Sequence, residues 1–145
     1  MTTTDSSSLL LVLDTETTGL AEVSWSRVVE LAAVAIDEHG VEVSSFESLV
    51  RPDLIDERAR HALKINKLQL AEIQMAPSQA HVCRDFYHWA RDLSGVRKDG
   101  RLAVPMTAYN LKFDSVMVER MYPMNPCFMW AECLAIRATK LMGPT

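Results

Sequence analysis

Much that would direct this chain out of the ordinary globular class is missing from it. No apolar run approaches the ~18 residues that a bilayer-crossing helix needs. The longest runs, Leu9 to Leu13 and Leu31 to Ile36, have the length of strands. The first eight residues, Met-Thr-Thr-Thr-Asp-Ser-Ser-Ser, lack the basic region that opens a secretory signal. Cysteine is scarce: Cys83, Cys127 and Cys133 form no CxxC pair and cannot all bridge. Reduced thiols in a cytoplasm are therefore the expectation. There is no excess of positive charge, because 15 Lys and Arg against 19 Asp and Glu give a net charge of −4. Nothing global draws the chain to nucleic acid, although a local basic groove or bound cations could still hold a polyanion. What remains is 145 residues, 48% hydrophobic and 23% charged, which is enough for one domain with a buried core. Whether that length also suffices for a complete active site is a separate question.

Residues 1–8 read as a loose Ser/Thr-rich tail, and 9–145 as one domain. Leu9 to Leu13 is continuously apolar, as a strand buried on both faces would be, and is expected to stop at Asp14. Val28 to Ile36 reads as a second strand interrupted only by Glu30, and Glu38-His39-Gly40 as a hairpin connection. Val41 to Val50 alternates more loosely, suggesting a half-exposed third strand that Arg51-Pro52 ends. From Ile55 the period changes, and two short helices are expected before Pro77. Ser78 is placed to cap a longer helix whose apolar stripe is Val82, Phe86, Trp89 and Leu93, with Gly95 ending it. Val104 to Tyr109 reads as a fourth strand, with Pro105 tolerable only near its start. A helix follows over about 112–121, then a short strand from Phe128 and a last helix. Three strands joined by short turns, followed by alternating helices and strands, point to a mixed α/β sheet covered by helices.

Two segments carry chemistry. Asp14 and Glu16 stand two apart on extended chain, so both carboxylates point one way. Crowded like charges at the end of a buried strand call for a cation, and hard oxygen ligands select Mg²⁺ or Mn²⁺. Thr15, Thr17, Thr18 and Gly19 add hydroxyls and exposed backbone donors beside them, although nineteen acidic residues would produce an isolated Asp-x-Glu by chance. The second segment is Ala108-Tyr-Asn-Leu-Lys-Phe-Asp114, where a strand runs into a helix with Asn110 at its N-cap and Asp114 one turn in. Ligands of open α/β sheets bind outside the carboxyl ends of strands, which is where this segment falls. Alone, Asp114 would read as a complement to the helix dipole.

Together, Leu11-Val-Leu-Asp-Thr-Glu-Thr-Thr-Gly-Leu20 resembles the first motif of the DEDD 3′–5′ exonucleases of the ribonuclease H-like superfamily, and residues 108–114 resemble their second. Val29 to Val34, Phe46 to Pro52 and Ala62 to Asn66 resemble the family's next strands and its substrate-facing helical segment, so the likeness covers roughly 9–141. It implies a ribonuclease H-like mixed sheet, three antiparallel strands then parallel ones, flanked by helices. It also implies two divalent cations, Mg²⁺ or Mn²⁺, held by Asp14, Glu16 and Asp114, with water attacking the terminal phosphodiester of a DNA or RNA 3′ end. In that scheme Thr15, Thr17 and Gly19 contact the terminal nucleotide, Leu20 wedges against its base, and Ile65, Asn110 and Phe113 shape the pocket. The implied partners are a single-stranded or 3′-terminal nucleic acid, DNA ahead of RNA, together with a polymerase or a second copy of the chain.

One family element has no counterpart. The His branch (DEDDh) continues into His-x-x-x-x-Asp, which supplies the general base and a fourth carboxylate. Here the histidines are His39, His61, His81 and His88, and Asp114 is the last aspartate. Tyr122 is the only later tyrosine, and Pro126 occupies the position where Tyr-x-x-x-Asp would need its acid. The expectation is a chain short at its C-terminus, weak or inactive by itself. The alternative is a catalytically incomplete module that binds nucleic acid or a polymerase. His81, Asp85, His88 and Asp92 form a stripe with metal-binding spacing, which reads instead as the solvated flank of the longer helix. Trp25, in a polar loop after the first motif, is the tryptophan placed to meet nucleic acid.

Overall fold

A computed structural model describes residues 9–19, 26–53, 70–122 and 128–131. The proposed tail, the first of the two short helices expected before Pro77 and the helix after residue 131 lie outside them. Strands β1 (Leu10–Thr17), β2 (Val28–Ile36) and β3 (Glu42–Leu49) form an antiparallel meander. A short helix α1 (Leu70–Gln74) and a long helix α2 (Gln79–Ser94) follow. Strand β4 (Pro105–Ala108), helix α3 (Leu111–Met121) and β5 (Met129–Trp130) complete the described chain. The sheet order is β3-β2-β1-β4-β5, with β4 parallel to β1 and β5 parallel to β4. This is the mixed sheet that the sequence implied.

The first strand differs from expectation. It does not stop at Asp14 but runs to Thr17, because its pairing with β2 continues through Asp14–Ala32, Thr15–Leu31 and Glu16–Glu30. The β-branched Thr15 and Thr17, alternating with the acids, suit extended backbone, so the carboxylates stand on the strand itself. The turn into β3 is closed by the Asp37 carboxylate, which accepts from the amides of His39 and Val41, while Gly40 takes a φ of 77° that other residues rarely adopt. Pro105 is the first residue of β4, the one place where its missing N–H costs no ladder bond.

One face of the sheet carries the core. Leu11, Leu13, Leu31, Ala33 and Ala35 are buried there beneath Phe86 and Ala90 of α2 and Met117 and Val118 of α3. Phe86 is the largest fully buried side chain and meets Phe46, Trp89 and Phe128 at centroid distances of 5.4, 5.8 and 6.2 Å. The polar ends of these aromatics are satisfied: Trp89 donates to Ser44 Oγ at 2.9 Å and Tyr122 to the Cys83 carbonyl at 2.6 Å. The capping expected for α2 is present, Ser78 Oγ accepting from the His81 amide and Gly95 ending the helix at φ 80°. Backbone bonds from Arg51 to Pro77 and from Gln79 to Arg51 tie the start of α2 to the end of β3. The alternate side chains of β1, Val12, Asp14 and Glu16, face away from the core.

Candidate active site

The first strand presents its two acids side by side on that outward face, Asp14 exposed and Glu16 half-buried. Thr15, between them, points into the fold and is only 8% exposed. Its hydroxyl donates to Asp114 Oδ1 at 2.6 Å, a buried contact between residues 99 apart in sequence. Asp114 sits in the first turn of α3 and is 6% exposed. Its amide donates to the carbonyl of Asn110, the N-cap residue. The two sequence segments are thus joined by one short hydrogen bond at the carboxyl ends of neighbouring parallel strands.

The carboxylates sense one another. Burial, then the charges of Asp14 and Asp114, push the Glu16 carboxyl upward. For Asp114 burial is again the largest cause; the Thr15 bond opposes it, while Asp14 reinforces it. A fourth acid joins them that motif reasoning missed. Glu30 of β2 pairs directly with Glu16 across the strands, and burial followed by Glu47, Glu16 and Asp14 raises its carboxyl. Its only signal in the sequence is being the single charge in an apolar strand. Among the described residues none of Asp14, Glu16, Glu30 or Asp114 forms an ion pair. Uncompensated oxygen donors of this kind suit a hard divalent cation. The set is nevertheless incomplete: among the described residues no three acidic, His or Cys side chains gather closely enough to hold a metal ion.

The remaining sequence candidates fall as follows. The Thr15 hydroxyl is committed to Asp114, which leaves its backbone, rather than its side chain, for a nucleotide. Thr17 Oγ1 donates to the Gly19 carbonyl at 2.9 Å and shapes the turn after β1. Thr18 and Arg27 bond reciprocally, through Thr18 N to Arg27 O and Arg27 N to Thr18 Oγ1, so the chain leaves β1 and enters β2 at one point. Asn110 is exposed and its side chain makes no capping bond, although its position is the expected N-cap. Phe113 is half-buried against the core. Leu20, Trp25 and Ile65 lie outside the described residues. The His81 stripe lies on the outer flank of α2, where His81 contacts Asp85 at 3.1 Å and accepts from Arg84 at 2.7 Å, all three exposed. That is the solvated reading.

Comparison with known proteins bears on the family and the fold. The model of the RNase_T exonuclease family matches residues 11–128. No curated protein sequence matches. Among solved structures, E. coli exonuclease I bound to a dA16 oligonucleotide is similar with a TM-score of 0.67 and 17% identity, over 92% of this chain and 30% of that one. The zinc-bound form of the E. coli exonuclease I–ssDNA complex gives 0.66 and 17%, with the same coverages. The exonuclease I complex with the SSB C-terminal peptide gives 0.67 and 17%, again over 92% and 30%. The chain therefore spans about 30% of the length of these structures.

Proposed function

The chain belongs to the RNase_T exonuclease family, and from that premise we propose that it acts at the 3′ end of single-stranded nucleic acid, DNA ahead of RNA, as a phosphodiester hydrolase. The observation that carries the reading is the Thr15–Asp114 bond, which brings the Asp14–Glu16 strand and the Asn110–Asp114 turn to one sheet end. Asp14, Glu16 and Asp114 are the residues that would hold Mg²⁺ or Mn²⁺. Their oxygen chemistry and the lack of an ion pair to any of them among the described residues support that choice, and the three would have to draw closer together around an ion than they stand here. When bound, such cations lower the pKa of attacking water and stabilise charge on the leaving 3′ oxygen.

The chain's own residues do the positioning. The Thr15 hydroxyl fixes the Asp114 carboxylate, and the Gly19 turn offers backbone donors to the terminal phosphate. The Asn110 amide, unused in capping, would serve the terminal sugar and Phe113 would bound the pocket, while the expected roles of Leu20 against the terminal base and of Ile65 in the pocket rest on the family motif alone. A second reading rests on a specific observation: no histidine follows His88 and no aspartate follows Asp114. A site without its general base loses roughly 10²–10⁴ in rate. The 145-residue chain by itself is therefore expected to bind a 3′ end and turn over slowly. It would serve as a nucleic-acid- or polymerase-binding module unless a base is supplied from elsewhere.

The test uses the purified chain, a 5′-labelled single-stranded oligonucleotide and Mg²⁺ or Mn²⁺, with Asp14→Ala alongside. Slow 3′-terminal mononucleotide release that Asp14→Ala abolishes supports the hydrolase. Binding with no release supports the module. Release that Asp14→Ala leaves unchanged, or neither binding nor release, overturns the reading.

A further inference from the structure

Tyr109 follows β4 directly and is 70% exposed. Every other described phenylalanine, tyrosine and tryptophan is buried or half-buried. Large aromatic side chains gain most from burial, so the place of this exposed one matters. Strands β1 and β4 are parallel, with Leu13 paired to Ala108. The ladder ends at that pair: Tyr109 is the next residue, in the turn that leads from β4 into α3, and Asp14, the exposed acid of the first motif, is the residue that follows Leu13 in β1. Next in the chain is Asn110, also exposed, with its side chain unused in capping α3. An aromatic ring, an amide and a carboxylate thus share the carboxyl end of two adjacent parallel strands, the region where open α/β sheets receive ligands.

Resting on the function proposed above, we infer that Tyr109 is a substrate-positioning residue that stacks on a base of the single strand near its 3′ end. The chemistry suits a substrate of mixed sequence, because every base has a π face and stacking needs no particular hydrogen-bond pattern. It also suits this protein. With a net charge of −4 and four acids around the site, phosphate attraction is weak, and base contacts must carry more of the binding.

The experiment measures binding of the full chain to fluorescent single-stranded oligodeoxynucleotides in Ca²⁺, by anisotropy. One oligonucleotide carries all its bases and the other is abasic over its three 3′-terminal positions. Tyr109→Ala is expected to weaken binding to the intact strand by about 5- to 150-fold, the range of one stacked base. Tyr109→Phe keeps the ring and is expected to stay within about twofold of the parent. On the abasic strand both proteins should bind more weakly, and the gap between the parent and the alanine variant should close to within about twofold. A merely structural role would lower affinity for both strands alike, and that result overturns the inference. So does an alanine variant that binds the intact strand as the parent does, a result that leaves the function reading in place. A parent chain that binds neither strand removes both.

Discussion

At the scale of single residues, the Thr15–Asp114 hydrogen bond is the most informative contact, because it is short, buried and made to an ionisable group. Thr15→Val keeps the shape and β-branching but leaves a buried carboxylate short of a donor, which should cost about 1.5–3 kcal/mol at neutral pH. The bond favours the ionised form of Asp114, so the loss read by urea denaturation should shrink as pH falls through the carboxylate range. Asp114 as a whole is nonetheless raised, because burial outweighs that bond, and Glu16 is raised too. The folded Glu16 carboxyl lies above its usual value of 4.5, so its contribution to stability is fully present below that value and is lost as pH rises through the folded titration. Glu16→Gln should therefore raise the melting temperature of the metal-free chain at pH 7 and leave it nearly unchanged at pH 4. The same substitution should abolish or sharply reduce the stabilisation that Mn²⁺ gives the parent, as followed by a thermal melt with and without chelator. The sequence made Asp14, Glu16 and Asp114 legible because acids at those spacings, beside apolar strands, need a reason. It could not make the Thr15 contact legible. Strand alternation turns Thr15 away from its acidic neighbours, and only the position of α3 decides what it meets.

At the scale of elements, α2 was the easiest to read and offers a calibrated comparison. Ser78→Ala removes a side-chain cap and should cost about 0.5–2 kcal/mol. Phe86→Ala empties the centre of the aromatic cluster and should cost about 3–5 kcal/mol. Chemical denaturation of both variants checks the order, and a cap loss exceeding the core loss would contradict the packing described. The cap, the apolar stripe and the terminal glycine of α2 all lie within one local stretch, which is why they were visible. The end of β1 was not, because the pairing that extends the strand to Thr17 comes from β2, more than ten residues away. The third strand gave itself away by loose alternation, and its residues do alternate between exposed and half-buried. Glu30 was seen as an interruption, but its role beside Glu16 depends on cross-strand register, which no local pattern reports.

At the scale of the whole molecule, charge and function pull against each other. A chain of net charge −4 with four acids near its site should bind single strands poorly in chelator. Adding Ca²⁺ at constant ionic strength should tighten binding at least about tenfold, and anisotropy titrations in both conditions measure it. Equal affinity with and without the cation would show that the acids do not face the nucleic acid. The parallel pairing of β1 with β4 has a consequence for the order in which the protein is made. Leu13 and Ala108 are neighbours in the sheet, yet β2, β3, α1 and α2 are synthesised between them. The meander of β1 to β3 uses nearby contacts and can form early, whereas the bond from Thr15 must wait for a loop of 99 residues to close. A growing chain thus displays Asp14 and Glu16 long before it owns the helix that completes their surroundings. On the ribosome, amid messenger and ribosomal RNA, the proposed acidic site stays unassembled until residue 114 has emerged.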